Sequence, residues 1–168
     1  MTPFLNGAAQ SFTPSHLLAI VALGFLAGRQ APRIPLSTLA AFAIGLVMGS
    51  LAVASAIREN PASLALLLLA ASAAGLVVIA YDVPGWLASV LAFAGGCALP
   101  LNSPPHELTI TNAIASQVGL ALAALVTFAA AAFVSKLAQA PWRRIAVRIV
   151  ASWIAASAIL VLTLRLVR

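Results

Sequence analysis

With 168 residues, 63% of them hydrophobic and 7% charged, and a mean hydropathy of +1.11, the chain is too apolar for a water-soluble domain, in which roughly a quarter of residues are charged. Its net charge of +6 does not describe a nucleic-acid surface, because the basic residues lie between and at the ends of apolar runs. The single cysteine, Cys97, excludes an internal disulfide and any CxxC motif. No HExxH, phosphate-binding glycine loop or Ser-His-Asp set argues for an enzyme.

About 20 apolar residues cross a bilayer as a helix. The chain has room for six such segments with short connections, which predicts an all-α, polytopic membrane protein, one transmembrane domain folded as a compact bundle of six helices. The first ten residues lack Lys and Arg and a sufficient apolar core, so they do not form a secretory signal peptide as they stand. Helix 1 is expected over 13–28, with Pro14 in its first turn, where a missing N–H costs nothing. Helix 2 spans 35–57 and ends at Arg58-Glu59-Asn60, and helix 3 follows Pro61 to Tyr81, over 61–81. After the Asp82 to Gly85 turn, helix 4 covers 85–101. Asn102 to Glu107 is the most polar stretch, and Pro104 and Pro105 forbid helix there. Helix 5 is expected over 108–135, a basic loop over 136–144, and helix 6 over 145–167.

Six crossings place the loops after helices 1, 3 and 5 on one side. That side holds Arg29, Arg33, Lys136, Arg143, Arg144 and Arg148, against Arg58, Arg165 and Arg168 on the other. The excess of basic residues assigns the first group to the cytoplasm of a bacterial inner membrane, with both termini outside. Small residues spaced by four, Gly24 with Gly28, Gly45 with Gly49 and Ala71 with Gly75, are candidates for close helix packing. The expected partners are the lipid bilayer and a further membrane protein or a second copy of the chain, with no nucleic acid.

Polar residues in membrane segments are functional candidates. By parity His16, Cys97, Asn102, His106, Glu107 and Gln117 share the outer half of the bilayer or its adjoining loop, where an outward-facing pocket would gather them. Each has a plainer reading: His16 as an interfacial histidine, His106 and Glu107 as solvated loop, Gln117 as an interhelical hydrogen-bonder, and Cys97 as a small buried apolar residue. His16, His106, Glu107 and Cys97 follow no compact metal-ligand spacing.

The run Thr13 to Gly28, Thr-Pro-Ser-His-Leu-Leu-Ala-Ile-Val-Ala-Leu-Gly-Phe-Leu-Ala-Gly, resembles the first helix of the HupE/UreJ family. Those small membrane proteins are linked to hydrogenase and urease maturation and are regarded as nickel or cobalt permeases. The resemblance implies a six-helix permease or metal-accessory protein, with His16 as a ligand for Ni2+ or Co2+. It is partial: Ser15 stands where the family has an aspartate, and an earlier His-Pro is missing. The family's helix 4 signature, His-Gly-x-Ala-His-Gly, falls on Gly95 to Pro100 with Gly96 and Ala98 kept and both histidines lost. A helix 5 histidine falls near Gln117. A non-transporting subunit of a membrane complex is the alternative expectation.

Overall fold

The computed structural model describes residues 2–30, 36–54, 62–79, 83–103, 109–138 and 141–166. Among them are seven helices and no strand: α1 (Pro3–Gln10), α2 (Pro14–Gly28), α3 (Leu36–Ala54), α4 (Ala62–Ile79), α5 (Gly85–Leu101), α6 (Ile110–Leu137) and α7 (Pro141–Leu166). By length and composition α3, α6 and α7 are able to cross a membrane, and α1 with α2 passes the same test as one broken span; α4 and α5 are shorter apolar helices. Exposed Ile79, Val126 and Trp153 illustrate an apolar surface that lipid covers without penalty and water would not.

The helices depart from expectation mainly towards the two ends of the chain. The segment before Thr13 is helical, as α1, because its one buried residue, Gly7, seats it on α6; eight residues are too short to hold a helix by propensity alone. Pro14 explains the break that follows. A residue preceding proline avoids the helical region, and Thr13 is extended at φ −61°, ψ 144°, so α1 and α2 meet at a 66° bend. At the other end, α6 continues to Leu137 and α7 begins at Pro141. Trp142, Arg143 and Arg144 therefore lie in a helix where a basic loop was expected, with Arg143 resting 5.1 Å from the Trp142 ring centroid.

Three helix pairs carry the packing around the site. In α2 with α6, a Cβ at Gly24 would lie 2.6 Å from that of Ala131, and one at Gly28 would lie 2.8 Å from that of Ser135, whose hydroxyl donates to the Phe25 carbonyl at 3.0 Å. In α3 with α5, Cβ atoms at Gly45 and Gly96 would each stand 3.1 Å from the other glycine's Cα, and one at Gly49 would stand 3.0 Å from Cys97 Cα. In α1 with α6, Gly7 faces the Ser116 backbone and Gly119 faces the Phe4 carbonyl, so two bare backbones cross. Only hydrogen as a side chain permits these approaches, and in lipid close packing is what drives association. Gly75 departs from this set: nothing lies within 4 Å of a Cβ placed there. The buried stripe of α4 runs through Leu66, Ala70, Ala73 and Val77 and leaves Gly75 beside it.

At the centre, Phe42 of α3 and Phe128 of α6 stack with ring centroids 4.4 Å apart and planes 10° from parallel, both fully buried. Arg29, just past α2, donates to the Val77 carbonyl in the last turn of α4, one of the carbonyls a helix leaves without an internal partner. Because α2 and α6 run in the same direction, Arg29 and Lys136 mark one end of the bundle. The start of α7 joins them there after a short connection, bringing Arg143 and Arg144.

Candidate functional site

His16 lies one turn into α2 and is 1% exposed. The 66° bend carries the last carbonyl of α1 back over it, and Nδ1 donates to the Gln10 oxygen at 3.0 Å. A carbonyl can only accept, so the proton sits on Nδ1 and Nε2 presents its lone pair. That lone pair faces the end of α5, where Asn102 Nδ2 donates to it at 2.9 Å and Ser103 Oγ stands at 3.4 Å. Gln117 of α6 extends the chain by donating from Nε2 to the Ser103 carbonyl at 3.2 Å. Its Oε1 is 3.5 Å from Ser50 Oγ of α3, whose hydroxyl also reaches the Leu46 carbonyl at 2.8 Å. Ser11, in the break itself, donates to the Leu120 carbonyl of α6 at 3.0 Å.

The arrangement is a string of neutral groups linking α1, α2, α5, α6 and α3. It supplies one imidazole nitrogen and several amide and hydroxyl oxygens, with no carboxylate among the described residues of the string. The same residues admit a cation only by rearrangement: turning the Asn102 amide about its last torsion frees Nε2 and presents Oδ1, giving a nitrogen and an oxygen ligand side by side. Among the described residues no three His, Cys, Asp or Glu side chains form a metal-binding group.

Of the expected pocket residues, His16, Asn102 and Gln117 are brought together. Cys97 is half-buried at the α3 interface with its thiol beside the Gly49 backbone. His106 and Glu107 lie outside the described residues. Gln10, Ser50 and Ser103 belong to the site and escape sequence reasoning. Gln10 enters through its backbone carbonyl, which no side-chain pattern announces, although the Thr13-Pro14 dipeptide marks the break that places it.

Removing the Gln117 amide with Gln117→Leu is expected to cost only about 0.6 kcal/mol, the average for an interhelical hydrogen bond in a membrane protein. Thermal unfolding in detergent checks this, and a loss comparable to that of the core variants described below would make Gln117 the keystone of the string.

Comparison of the chain with models of known protein families, with curated proteins and with solved structures finds no match.

Proposed function

We propose that the chain is a multi-pass protein of the bacterial inner membrane with six crossings, α1 and α2 together forming the first, and that it acts as a HupE/UreJ-like secondary permease or accessory protein for nickel or cobalt. The observation that carries this reading is the helix break at Thr13-Pro14 with His16 directly behind it, its Nε2 lone pair turned to Asn102 and Ser103 from another helix. Broken helices at membrane depth are tolerated where they line a path or a binding site, and transporters place their sites there. With the Arg29, Lys136 and Arg143 end toward the cytoplasm, both termini and the His16 string face outward.

The test is titration of purified, tag-free protein with Ni2+ and Co2+. Micromolar binding that His16→Ala abolishes is expected. Absence of binding, or binding indifferent to that substitution, removes the metal reading.

A specific observation favours the second reading, a non-transporting subunit: both ring nitrogens of His16 are already engaged, as in a structural histidine. Recovery from native membranes in mild detergent as a complex of defined stoichiometry supports the subunit, and consistent recovery alone removes it.

A further inference from the structure

Two antiparallel helix pairs meet at central contacts. Leu23 of α2 touches Gly95 of α5, while nearer the helix ends His16 meets Asn102. Phe42 of α3 stacks on Phe128 of α6, while further along Ser50 approaches Gln117. When α2 is laid on α5 so that Leu23 falls on Gly95, and α3 on α6 so that Phe42 falls on Phe128, the packing of α2 on α6 coincides residue by residue with that of α5 on α3.

Gly24 is pressed against the Phe128 carbonyl and Ala132 amide; its counterpart Gly96 is pressed against the Phe42 carbonyl and Leu46 amide. Ser135 donates to the Phe25 carbonyl; their counterparts, Gly49 and Cys97, make the same approach, with Gly49 against the Cys97 carbonyl. Every buried residue of α5 falls on a buried residue of α2, from Ala88 on His16 to Pro100 on Gly28. The buried positions of α3, from Thr38 through Phe42 to Gly49, fall on buried positions of α6, from Ala124 through Phe128 to Ser135. The third helices, α4 and α7, pack on each other, as a pair related by the same operation would. In sequence only α3 and α6 retain visible likeness, with Leu36, Leu39, Phe42 and Ala43 opposite Leu122, Leu125, Phe128 and Ala129.

α1, packed on α6, has no counterpart on α3 among the described residues, and within the paired helices the match fails in two informative places. Asn102 falls on Gln30, and His16 falls on Ala88. Gln30 accordingly lies near the start of α5, its Oε1 3.9 Å from a Cβ built at Gly85, and neither of its amide atoms, both buried, has a hydrogen-bond partner among the described residues. It stands where Asn102 stands in the other half, but the imidazole that would receive it is a methyl group. The second failure is in packing: α4 lies against α2, whereas α7 and α5 share no comparable interface among the described residues.

We propose that the chain consists of two inverted three-helix repeats, α2–α4 and α5–α7, and that it moves its substrate by exchanging the packing of α4 on α2 for packing of α7 on α5. The inference rests on the six-crossing permease reading. Three crossings per repeat make the second repeat enter the membrane from the opposite side, so the relating axis lies in the bilayer plane and passes through the Leu23–Gly95 and Phe42–Phe128 contacts. Two halves with the same packing but different placement of their third helix define one conformation, and swapping the placements defines its mirror, facing the other way. Contacts on the axis are shared by both states and act as the fulcrum. The two ends of the path are then the His16–Asn102 node and the Ala88–Gln30 node, the first polar and satisfied, the second lacking its imidazole.

Cross-linking on a Cys97→Ala background tests the exchange. The Arg29–Val77 contact between α2 and α4 maps onto Leu101 in α5 and onto Ala158 or Val161 in α7, depending on which of two registers superposes the buried stripes of α4 and α7. In liposomes, Leu101→Cys paired with Ala158→Cys, or with Val161→Cys, is expected to form a disulfide on mild oxidation. That bond should block nickel or cobalt uptake until it is reduced. Neither pair cross-linking, while Arg29→Cys with Val77→Cys cross-links to completion, overturns the exchange even if metal uptake is seen. Cross-linking of the α5–α7 pair in a protein whose unmodified form carries no nickel or cobalt supports the exchange and removes the proposed cargo. On the same Cys97→Ala background, spin labels at exposed Trp86→Cys and Trp142→Cys give an independent readout: two distance populations are expected, and one narrow population overturns the proposal.

Discussion

Gly96→Leu is expected to separate α3 from α5 and to leave little folded protein, whereas Gly75→Leu is expected to change thermal stability barely at all. Both glycines lie in apolar helices of similar character, so neither composition nor helix propensity distinguishes them. Their surroundings do. A Cβ at Gly96 would sit 3.0 Å from the Leu46 amide and 3.1 Å from the Gly45 Cα, and the Phe42 carbonyl is closer still. These are backbone atoms of a helix and cannot turn aside as a flexible side chain would. Overpacking a core costs about 1–3 kcal/mol where side chains can adjust and more where they cannot, so Gly96→Leu belongs above that range. At Gly75 a Cβ meets nothing within 4 Å, and the larger side chain points into open space or lipid. The measurement is the temperature at which the monodisperse peak in detergent falls to half. Equal shifts for the two variants would show that the α3–α5 contact is looser than described.

His16→Ala is expected to lower stability by about 3 kcal/mol, because two partners lose their bond at once and each buried polar group left unpaired costs about 1–3 kcal/mol. The Gln10 carbonyl loses its Nδ1 donor and the Asn102 amide loses the Nε2 acceptor, while the removed ring leaves a space at a buried position. His16→Gln is expected to recover part of the loss, since a side-chain amide offers both a donor and an acceptor. The α1–α2 break should also become the preferred point of limited proteolysis in His16→Ala, because the Gln10 bond is one of the ties holding α1 over α2. An unchanged cleavage pattern would show that Ser11 and the Gly7–Gly119 crossing hold α1 without His16.

The two substitutions locate where sequence reasoning succeeds and where it stops. Apolar runs bounded by prolines and charges are enough to place helices at 85–101 and 13–28, which appear as Gly85–Leu101 and Pro14–Gly28. They also mark His16 and Gln117 as polar groups at related depth. Spacing of small residues finds Gly24, Gly28, Gly45 and Gly49, yet the same rule selects Gly75, because a helix shows its period and not which face meets a neighbour. Gly7 and Gly119 carry the α1–α6 crossing and escape the rule for another reason: Gly7 has Ser11 four positions on, but the segment before Thr13 is not expected to be helical, so its spacing carries no meaning until α1 is seen. The site's hydrogen bonds were legible only as far as they use side chains. The Gln10 and Ser103 carbonyls contribute through backbone position, which depends on the Thr13 geometry and on how α5 ends. The internal repeat is hidden for a related reason: packing in lipid asks for small or apolar residues of suitable shape, and Leu23 opposite Gly95 meets that requirement without identity.

The ties between the first helices and α6 also bear on how the protein is made. Ser11 bonds the Leu120 carbonyl across 109 positions and Ser135 reaches Phe25 across 110. During synthesis α1 and α2 must therefore wait, with Ser11 and the small-residue face at Gly24 and Gly28 uncovered, until α6 has emerged from the ribosome. Contacts between such distant segments form slowly, and a half-made molecule with uncovered polar and helix-packing surfaces is prone to wrong association. A chain interrupted before α6 keeps these surfaces uncovered, and the docking of α6 on α1 and α2 is what closes them.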